Sequence, residues 1–154
     1  MLGKSILIVD DNPASRIFLA YHLQKKQFKV LEAPLGKEGL IIAWRDQPDL
    51  ILFDPTLHDI GDQEFIQKLR NDPRSAKIPL IALSTDPDPK RREICLKAGV
   101  DEYLVKSARA LSTLEESLER IFGSERSTDN GKKNKKKRGS LIIFLSAKGG
   151  TGTS

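Results

Sequence analysis

Two stretches of sequence, SILIVDDN at residues 5–12 and LILFDP at residues 50–55, decide the fold of this chain. Each is a short run of large apolar residues that ends in carboxylates. Such nearly continuous apolar runs are typical of strands that are buried on both faces, as the strands of parallel sheets are. We therefore predict two buried parallel strands, Ser5–Val9 and Leu50–Phe53, each with acidic side chains at its carboxyl end.

Apolar runs and amphipathic segments alternate around these two strands up to about residue 122. Further strands are predicted at Lys29–Leu31, Pro79–Leu83 and Glu102–Val105, and helices at about 12–26, 36–45, 62–70, 89–98 and 107–122. This alternation indicates a parallel sheet with helices on both faces, joined by right-handed crossovers. The predicted fold is α/β, a flavodoxin-like (βα)5 doubly wound parallel five-stranded sheet of order 2-1-3-4-5, with the more polar second strand at an edge.

The first helix carries a clear start signal. Asn12 is a good N-cap, and Pro13 fits the first helical turn. We predict that most of its apolar residues share the face that packs on the sheet, while its basic residues stay in water. The predicted apolar face contains Ile17, Phe18, Tyr21 and Leu23, and the predicted exposed residues are Arg16, Lys25 and Lys26.

The formal net charge of +5 is unevenly distributed along the 154 residues. Most of the basic excess lies in residues 123–154, so the near-neutral residues 1–122 give no sign of a nucleic-acid surface. No apolar run is long enough to span a membrane, and the N-terminus lacks the layout of a signal peptide. We predict a cytoplasmic protein that binds no nucleic acid and does not insert into membranes. The single Cys95 is predicted to be a packed thiol without chemistry.

The composition changes after residue 122, which marks a predicted domain boundary. Residues 1–122 form the predicted folded domain. Residues 123–140, GSERSTDNGKKNKKKRGS, contain no large apolar residue and predict a basic flexible linker. Residues 141–154 begin with the strand-like run LIIFL and enter a glycine-rich loop without a helix behind it, so we interpret them as the truncated start of another domain.

Three carboxylates follow the two central strands: Asp10 and Asp11 after the first, and Asp54 after the third. If these strands are neighbours, the carboxylates meet in an acidic cleft at the carboxyl edge of the sheet, where doubly wound folds bind ligands. A cation must relieve their repulsion, and Mg²⁺ fits because it takes one or two carboxylates together with water and phosphate oxygens. Asp54 can then act as a nucleophile towards a phosphoryl group.

Two further strand ends carry polar side chains that suit a phosphate. Ser84 closes the run LIAL and can donate a hydrogen bond to a phosphoryl oxygen. Lys106 closes the run YLV and can pair with phosphate through its ammonium group. One such residue is ordinary at a strand end, but five of them at the ends of four predicted strands indicate a shared site.

Residues 4–122 resemble the receiver domains of two-component response regulators and are similar to the chemotaxis response regulator. Four motifs carry the resemblance: VDDN at 9–12, LILFD at 50–54, IPLIALS at 78–84 and AGVDEYLVK at 98–106. Their spacing also agrees with the layout of the family. The resemblance implies a phosphoacceptor signalling domain, not an enzyme, that assists its own phosphorylation and dephosphorylation in a phosphorelay.

The resemblance also implies roles for single residues. Asp54 is then the phosphorylated residue, Lys106 pairs with the phosphate, and Ser84 and Tyr103 are the hydroxyl and aromatic residues of the switch. The implied ligands of Mg²⁺ are Asp10, Asp11, Asp54 and the backbone carbonyl of Thr56. A histidine kinase or a phosphotransfer protein is the implied donor, and the surface of helix four, strand five and helix five is the implied switched surface and homodimer interface.

Several residues depart from the family pattern or sit at positions that tune it. Pro55 removes a backbone N–H beside the phosphoacceptor, and His58 replaces a proline in the loop that shapes the metal site, so we expect a looser loop. Ser107 replaces a proline that normally follows the lysine through a cis bond, which leaves the position of the lysine less determined. Thr56 and Asp86 occupy positions that tune dephosphorylation, and we expect the charge of Asp86 to alter the lifetime of the phosphorylated state.

The run KGGTGTS at 148–154 resembles the phosphate-binding loop of septum-site and partition ATPases. Lys148 takes the first lysine position and Thr153 replaces the second, as in receiver–ATPase fusions of the pilus-assembly type. Without a following helix we predict no nucleotide binding. Two other interpretations stay open. The tail can instead be a disordered extension, and the folded domain can instead be a pseudo-receiver that serves as a dimerisation or localisation module. A flavodoxin-like cofactor binder or a hydrolase is less well supported, because no glycine-rich loop follows strand one and no Ser-His pair is evident.

Overall fold

The computed structural model describes residues 3–131, with side chains for residues 3–123. Within this part, five strands alternate with five helices. The strands are β1 (Ser5–Val9), β2 (Lys29–Ala33), β3 (Leu50–Phe53), β4 (Leu80–Ser84) and β5 (Glu102–Val105). The helices are α1 (Pro13–Lys25), α2 (Gly36–Asp46), α3 (Asp62–Asn71), α4 (Pro89–Ala98) and α5 (Ala110–Gly131). All ten elements lie close to their predicted positions except at the two ends of α5.

The strands form one parallel sheet in the order β2-β1-β3-β4-β5, which confirms the predicted fold. All residues of β3 and β4 are buried. β2 lies at an edge, where Lys29 and Glu32 are exposed. The apolar runs therefore mark the strands that are covered on both faces, and the polar run marks an edge, as the sequence predicts.

The strand register brings the candidate functional residues to one edge of the sheet. Val9, the last residue of β1, pairs with Phe53, the last residue of β3. Ser84, the last residue of β4, pairs with Val105, the last residue of β5. Because all strands run in the same direction, the residues that follow them emerge together at the carboxyl edge.

The orientation of α1 differs from the prediction. Its buried residues are Leu19, Ala20 and Leu23, so Leu23 alone of the four predicted apolar-face residues is buried. Ile17, Phe18 and Tyr21 are 60%, 51% and 56% exposed. The helix carries more apolar residues than the stripe facing the sheet can hold, and three of them therefore form an exposed apolar patch, which we call the α1 patch.

The two ends of α5 also differ from the prediction. Residues 107–109 form a turn, in which the Ser107 carbonyl accepts the Ala110 N–H at 3.0 Å, so the helix begins at Ala110 instead of residue 107. It continues to Gly131, past the predicted boundary at residue 122, because the intervening residues include no proline. The rest of the predicted linker and the predicted ATPase segment at 141–154 lie outside the described residues, and the domain assignment stays a prediction.

The chain divides into two compact units after Thr113. The first unit contains the sheet and α1 to α4. In the second unit, Leu114, Leu118 and Phe122 are buried and share one face of α5, since they are four residues apart. Within residues 3–131, no helix is both long and apolar enough to cross a membrane.

Candidate phosphoacceptor site

Asp10 and Asp54 emerge next to each other at the carboxyl edge of the sheet. Asp10 follows β1, Asp54 follows β3, and the residues before them are paired in the register. Both residues are almost fully buried, with exposures of 2% for Asp10 and 6% for Asp54. Neighbouring buried carboxylates are costly unless a cation compensates them.

Lys106 supplies such a cation from the same chain. Its Nζ donates hydrogen bonds of 2.8 Å to Asp10 Oδ2 and of 2.8 Å to Asp54 Oδ2. Its backbone N–H donates to the Ser84 carbonyl at 2.6 Å, which ties the base of the lysine to the end of β4. No peptide bond between described residues is cis, and Lys106 still faces the carboxylates although Ser107 follows it. One ammonium shared by two carboxylates leaves the site with a net negative charge.

These contacts shift the pKa values of Asp54 and Lys106 in opposite directions. Burial raises the pKa of Asp54, but the hydrogen bonds from Lys106 and Thr56 outweigh it and bring the pKa of Asp54 below its usual value. Burial lowers the pKa of Lys106, but the hydrogen bonds to Asp10 and Asp54 outweigh it and raise the pKa of Lys106. At neutral pH, Asp54 is therefore an ionised carboxylate and Lys106 a charged ammonium.

Thr56 holds the second oxygen of Asp54. Its backbone N–H and its Oγ1 both donate to Asp54 Oδ1, at 2.8 Å and 2.6 Å. The backbone N–H two residues after Asp54 therefore bonds the Asp54 carboxylate, although Pro55 between them has no N–H to donate. Sequence reasoning assigned Thr56 a metal-binding carbonyl and a position that tunes dephosphorylation, and it missed these two donors.

Asp11 points towards the loop between β3 and α3 and not towards Lys106. Its Oδ2 accepts the backbone N–H of His58 at 3.2 Å and is also contacted by Nδ1 of the same residue. The His58 side chain is 89% exposed, whereas that of Asp11 is mostly shielded. The contact joins the loop after β1 to the loop after β3, and no motif in the sequence predicts it.

The loop between β3 and α3 is firmly anchored, which contradicts the expectation that His58 loosens it. Leu57 and Ile60 are buried in the core. Asp59 accepts the backbone N–H groups of Gly36 and Lys37, the first two residues of α2, at 2.8 Å and 2.9 Å. Asp59 thus caps a helix whose own N-cap residue makes no side-chain bond. Burial of Leu57 and Ile60 and the hydrogen bonds of Asp59 thus anchor this loop without the usual proline.

The two predicted switch residues, Ser84 at the end of β4 and Tyr103 in β5, both contact the loop after β4. Ser84 is fully buried, and its Oγ accepts the backbone N–H of Asp86 at 3.0 Å. Tyr103 is buried as well, and its hydroxyl donates to the backbone carbonyl of Asp86 at 2.7 Å. Burial raises the pKa of Tyr103, so the phenol stays protonated as this hydrogen bond requires. Both side chains therefore hold the same residue of the loop.

The carboxylate of Asp86 is engaged by other groups. Its Oδ1 accepts the backbone N–H of Asp88 at 2.9 Å, and its Oδ2 accepts Nε of Arg91 at 2.8 Å. Arg91 Nη1 also donates to Asp62 Oδ2 at 3.0 Å, an oxygen that further accepts the Cys95 thiol at 3.7 Å. Sequence reasoning missed Arg91. Arg91 lies in the first turn of α4, where a positive charge is unfavourable because the helix dipole is positive at this end. This position in the sequence indicates that Arg91 needs a carboxylate partner.

Cys95 is fully buried and, in agreement with its prediction, makes no disulfide. Burial raises the pKa of its thiol to about 12, and the neighbouring Asp62 acts in the same direction. The thiol is therefore protonated and unreactive in the folded protein.

The residues at the acidic edge fit Mg²⁺. Their oxygens are hard donors, and the three carboxylates exceed the single ammonium in charge. Within residues 3–123, no three His, Cys, Asp or Glu side chains are grouped closely enough to hold an ion by themselves. Mg²⁺ does not need such a group, because it keeps several water ligands and takes one or two carboxylates.

Residues 6–119 match the model of the response regulator receiver domain family. This chain therefore belongs to the family of response regulator receiver domains of two-component systems. Receiver domains are signalling domains, generally not enzymes, that interact with histidine kinases or phosphotransfer proteins. The sequence motifs predicted this family correctly.

Curated relatives are identical to this chain at about a third of the aligned positions. An uncharacterised 14.6 kDa protein of Leptolyngbya boryana is 31% identical over 71% of this chain and 83% of its own length. The transcriptional regulatory protein KdpE of Escherichia coli is 37% identical over 66% of this chain and 44% of its own length. The chain thus spans most of the first relative but less than half of the second.

Solved structures of receiver domains have the same fold. The receiver domain of the sensor histidine kinase PA1611 from Pseudomonas aeruginosa, with magnesium coordinated in its active site cleft, is 29% identical and has a TM-score of 0.72 over 79% of this chain and 98% of that one. The response regulator TrrA of Thermotoga maritima, in complex with Mg²⁺ and BeF, is 28% identical and has a TM-score of 0.68 over 77% of this chain and 98% of that one.

Proposed function

We propose that Asp54 of this chain accepts a phosphoryl group from a phosphohistidine of a histidine kinase or phosphotransfer protein, in a Mg²⁺-dependent reaction, and that phosphorylation switches a partner-binding surface. The observation that carries this proposal is the position of Lys106 Nζ between two buried carboxylates at the ligand-binding edge of the sheet. A structural ion pair needs only one carboxylate, whereas a second one leaves negative charge that a bound cation can satisfy.

Asp54 is the nucleophile in this reaction, because it is ionised and held in place. One of its oxygens forms a bond to phosphorus while the phosphorus–nitrogen bond of the phosphohistidine breaks, and the electron pair returns to the imidazole, which takes a proton from water. Lys106 donates to Asp54 Oδ2 before the reaction. The same ammonium then pairs with an oxygen of the new acyl phosphate.

The carboxylates of Asp10, Asp11 and Asp54 and the carbonyl of Thr56 are the proposed Mg²⁺ ligands. Bound Mg²⁺ neutralises charge on the phosphoryl group during transfer. Magnesium in the cleft of the PA1611 receiver domain supports this assignment by similarity. Asp10 contributes in addition by keeping Lys106 at the site.

The switch acts through the loop that contains Asp86. After phosphorylation, the side chain of Ser84 turns to donate its O–H to a phosphoryl oxygen, and its Oγ then no longer accepts the Asp86 N–H. The loop then loses one of the two contacts that Ser84 and Tyr103 make with Asp86. Phosphorylation thereby biases an equilibrium between two arrangements of this loop and α4. Ile94 of α4 and Val105 of β5 are exposed apolar residues on the surface that would be switched and through which a homodimer would form.

The phosphodonor docks on the α1 patch. Phe18 of this patch also lines a cleft of about 380 Å³, whose walls include Leu83, Lys106 and Leu111. Lys106 itself contacts Asp54, so a donor seated here has its histidine close to the phosphoacceptor. We expect Phe18→Ala to slow phosphorylation by a phosphorylated histidine kinase by about tenfold while phosphorylation by acetyl phosphate is unchanged. Equal slowing with both donors would contradict this docking site.

Phosphorylation of Asp54 is tested by intact-mass measurement after incubation with Mg²⁺ and acetyl phosphate. The wild type should gain the mass of one phosphoryl group, and Asp54→Asn should gain none, because an amide is not a nucleophile. Asp46→Asn is the matched control, since Asp46 is paired with Arg45 at an exposed position away from the site. Beryllofluoride with Mg²⁺ should also shift the NMR signals of Ser84 and Tyr103.

Two results would refute phosphorylation at Asp54. One is the absence of any adduct and of any spectral change in the wild type, and the other is an adduct that persists in Asp54→Asn. The first would favour the alternative function, a pseudo-receiver that serves as a dimerisation or localisation module of a larger protein such as a pilus-assembly ATPase. Three residues that depart from the family pattern support this alternative: Pro55, His58 and Ser107.

The lifetime of the phosphorylated state depends on Asp86 in this proposal. Hydrogen bonds from Asp88 and Arg91 lower the pKa of Asp86 and hold its charge away from the phosphoryl group. We therefore expect Arg91→Ala, which releases this carboxylate, to change the decay rate of the acyl phosphate more than Asp86→Ala does. An unchanged decay rate in both variants would show that Asp86 has no part in the lifetime.

A further inference from the structure

His58 is the residue at which the two loops of the acidic edge are joined. It lies on the loop between β3 and α3, and its backbone nitrogen and its Nδ1 both approach Oδ2 of Asp11 on the loop after β1. The first of these loops contains Asp54 and Thr56, and the second contains Asp10 and Asp11. The proposed ligands of the divalent ion therefore come from two loops that His58 connects.

We propose that His58 is a positioning residue of the divalent-ion site. Its backbone N–H and its Nδ1 hold one carboxylate oxygen of Asp11. The other oxygen is then presented to the ion, and the two ligand loops keep a fixed spacing. This inference rests on the proposed Mg²⁺-dependent function. It assigns to His58 a role that neither the sequence motifs nor the family pattern gives to this position.

The anchoring of the loop explains how an exposed side chain can position another residue. Leu57 on one side of His58 is buried in the core. Asp59 on the other side accepts two backbone N–H groups of α2. The backbone N–H of His58 is therefore fixed from both sides, and the imidazole has little conformational freedom to lose when it contacts Asp11.

Both contacts of His58 reach the same oxygen of Asp11, which leaves Oδ1 to coordinate an ion. Metal-binding carboxylates commonly receive such hydrogen bonds from residues that do not touch the metal, and loss of these partners typically lowers metal affinity about 10- to 100-fold. We expect an effect at the lower end, about tenfold, because Asp11 is one of several proposed ligands and water competes at the exposed imidazole.

Direct coordination by His58 is the competing interpretation, and it predicts a different ion preference. An imidazole ligand favours Ni²⁺ and Zn²⁺ over Mg²⁺, which prefers oxygen. A positioning residue changes the affinity for Mg²⁺ and Mn²⁺ by similar factors, since both ions use the same Asp11 oxygen.

The experiment measures ion binding without any phosphodonor. Dissociation constants of Mg²⁺, Mn²⁺, Ni²⁺ and Zn²⁺ are determined by isothermal titration calorimetry at one fixed pH for the wild type, His58→Ala and His58→Asn. His22→Ala is the matched control, because His22 is the other histidine of the chain and lies on α1 between aromatic rings. We expect His58→Ala to weaken binding of Mg²⁺ and Mn²⁺ about tenfold, His58→Asn to recover part of the loss through its side-chain N–H, and His22→Ala to bind as the wild type does.

A double-mutant cycle separates positioning from a general structural effect. In an Asp11→Ala background, His58→Ala should cause no further loss of Mg²⁺ affinity, because its target is gone. A full additional loss there would overturn the proposal. So would Mg²⁺ binding by His58→Ala as tight as that of the wild type, or a loss confined to Ni²⁺ and Zn²⁺.

Failure of the proposed function would look different. A wild type that binds neither Mg²⁺ nor Mn²⁺ would overturn the divalent-ion site as a whole, and with it the role of His58. A wild type that binds Mg²⁺ and is phosphorylated, alongside a His58→Ala variant with unchanged affinity, would overturn the role of His58 alone.

Discussion

The two edges of the sheet use the same kinds of charged residue in different ways. At the amino edge, Asp49 accepts the N–H of Ser5, and Asp101 accepts the N–H of Leu80, each at 2.8 Å. At the carboxyl edge, Asp10 and Asp54 share the ammonium of Lys106. The acids of the amino edge thus accept backbone N–H groups of the strands, whereas those of the carboxyl edge share the ammonium of one side chain.

Arg70 shows the same contrast from the side of the cations. It donates to the carbonyls of Gly99, Ala76 and Ile78 and to the carboxylate of Asp101. Almost all its donors are used to close the amino edge, and exchange for another partner would break the fold. Lys106 instead holds two carboxylates that can take another cation. The partners of a charged residue, more than its type, therefore separate structural from functional positions.

The largest effect is expected from Lys106→Ala. Its removal takes away the charge that pairs with the phosphoryl group, and we expect phosphorylation of Asp54 by acetyl phosphate to slow about 100-fold. The rate is measured by intact mass over time, with Lys97→Ala as the control, because Lys97 forms an exposed pair with Glu93. A phosphorylation rate that falls less than about threefold would contradict the functional role of Lys106 at the carboxyl edge.

Arg70→Ala should give the opposite result. We expect a loss of about 2 kcal/mol in the free energy of unfolding, since three partly buried carbonyls lose their donor, while the phosphorylation rate of the folded protein changes less than about twofold. Urea denaturation followed by Trp44 fluorescence measures the stability. Arg45→Ala, which removes an exposed pair with Asp46, should cost much less. A large loss of phosphorylation without loss of stability would contradict the structural role of Arg70.

The smallest effect concerns pH. The pKa of Asp54 is lowered in the folded state, so the stabilisation from its ionised form is present above about pH 3.9, the unfolded-state value, and is lost as the pH falls through the lowered pKa. For Lys106, whose pKa is raised, stabilisation is present below about pH 10.4 and is lost as the pH rises through the raised pKa.

Wild type and Asp54→Asn should therefore respond differently to acid. The free energy of unfolding of the wild type, relative to that of the variant, should fall between pH 5 and pH 3, because the pKa of Asp54 is lowered in the folded state and the variant lacks the titrating carboxyl. Urea denaturation at both pH values measures this difference. A difference that stays constant would show that Lys106 does not stabilise the ionised Asp54.

The fold and the central part of the site could be predicted because they depend on strong local signals. Runs such as LILF are apolar enough to specify buried strands, and the carboxyl edge then collects the residues that follow them. The contacts of Lys106 with Asp10 and Asp54 follow from this geometry. The roles of these residues and of Asp11, Ser84 and Tyr103 in phosphorylation remain predictions, as does the cytoplasmic location.

The errors arose where several weak interactions compete. α1 contains more apolar residues than its buried stripe holds, and the sequence does not tell which of them, such as Leu19 or Phe18, win the contact with the sheet. The rigidity of the loop at His58 depends on Asp59 capping a helix far away in the sequence. Such long-range side-chain contacts have no periodic signature and could be found only in three dimensions.

The buried Cys95 provides this protein with a built-in reporter. It is the only cysteine of the chain, and its thiol, with a pKa of about 12, is shielded against reagents while α4 stays packed. A thiol reagent can therefore modify the protein only during transient opening of α4, and the modification rate measures how often that opening occurs. α4 directly follows the loop held by Ser84 and Tyr103. The rate of Cys95 labelling, measured with and without phosphorylation of Asp54, would therefore report whether phosphorylation changes the opening of α4.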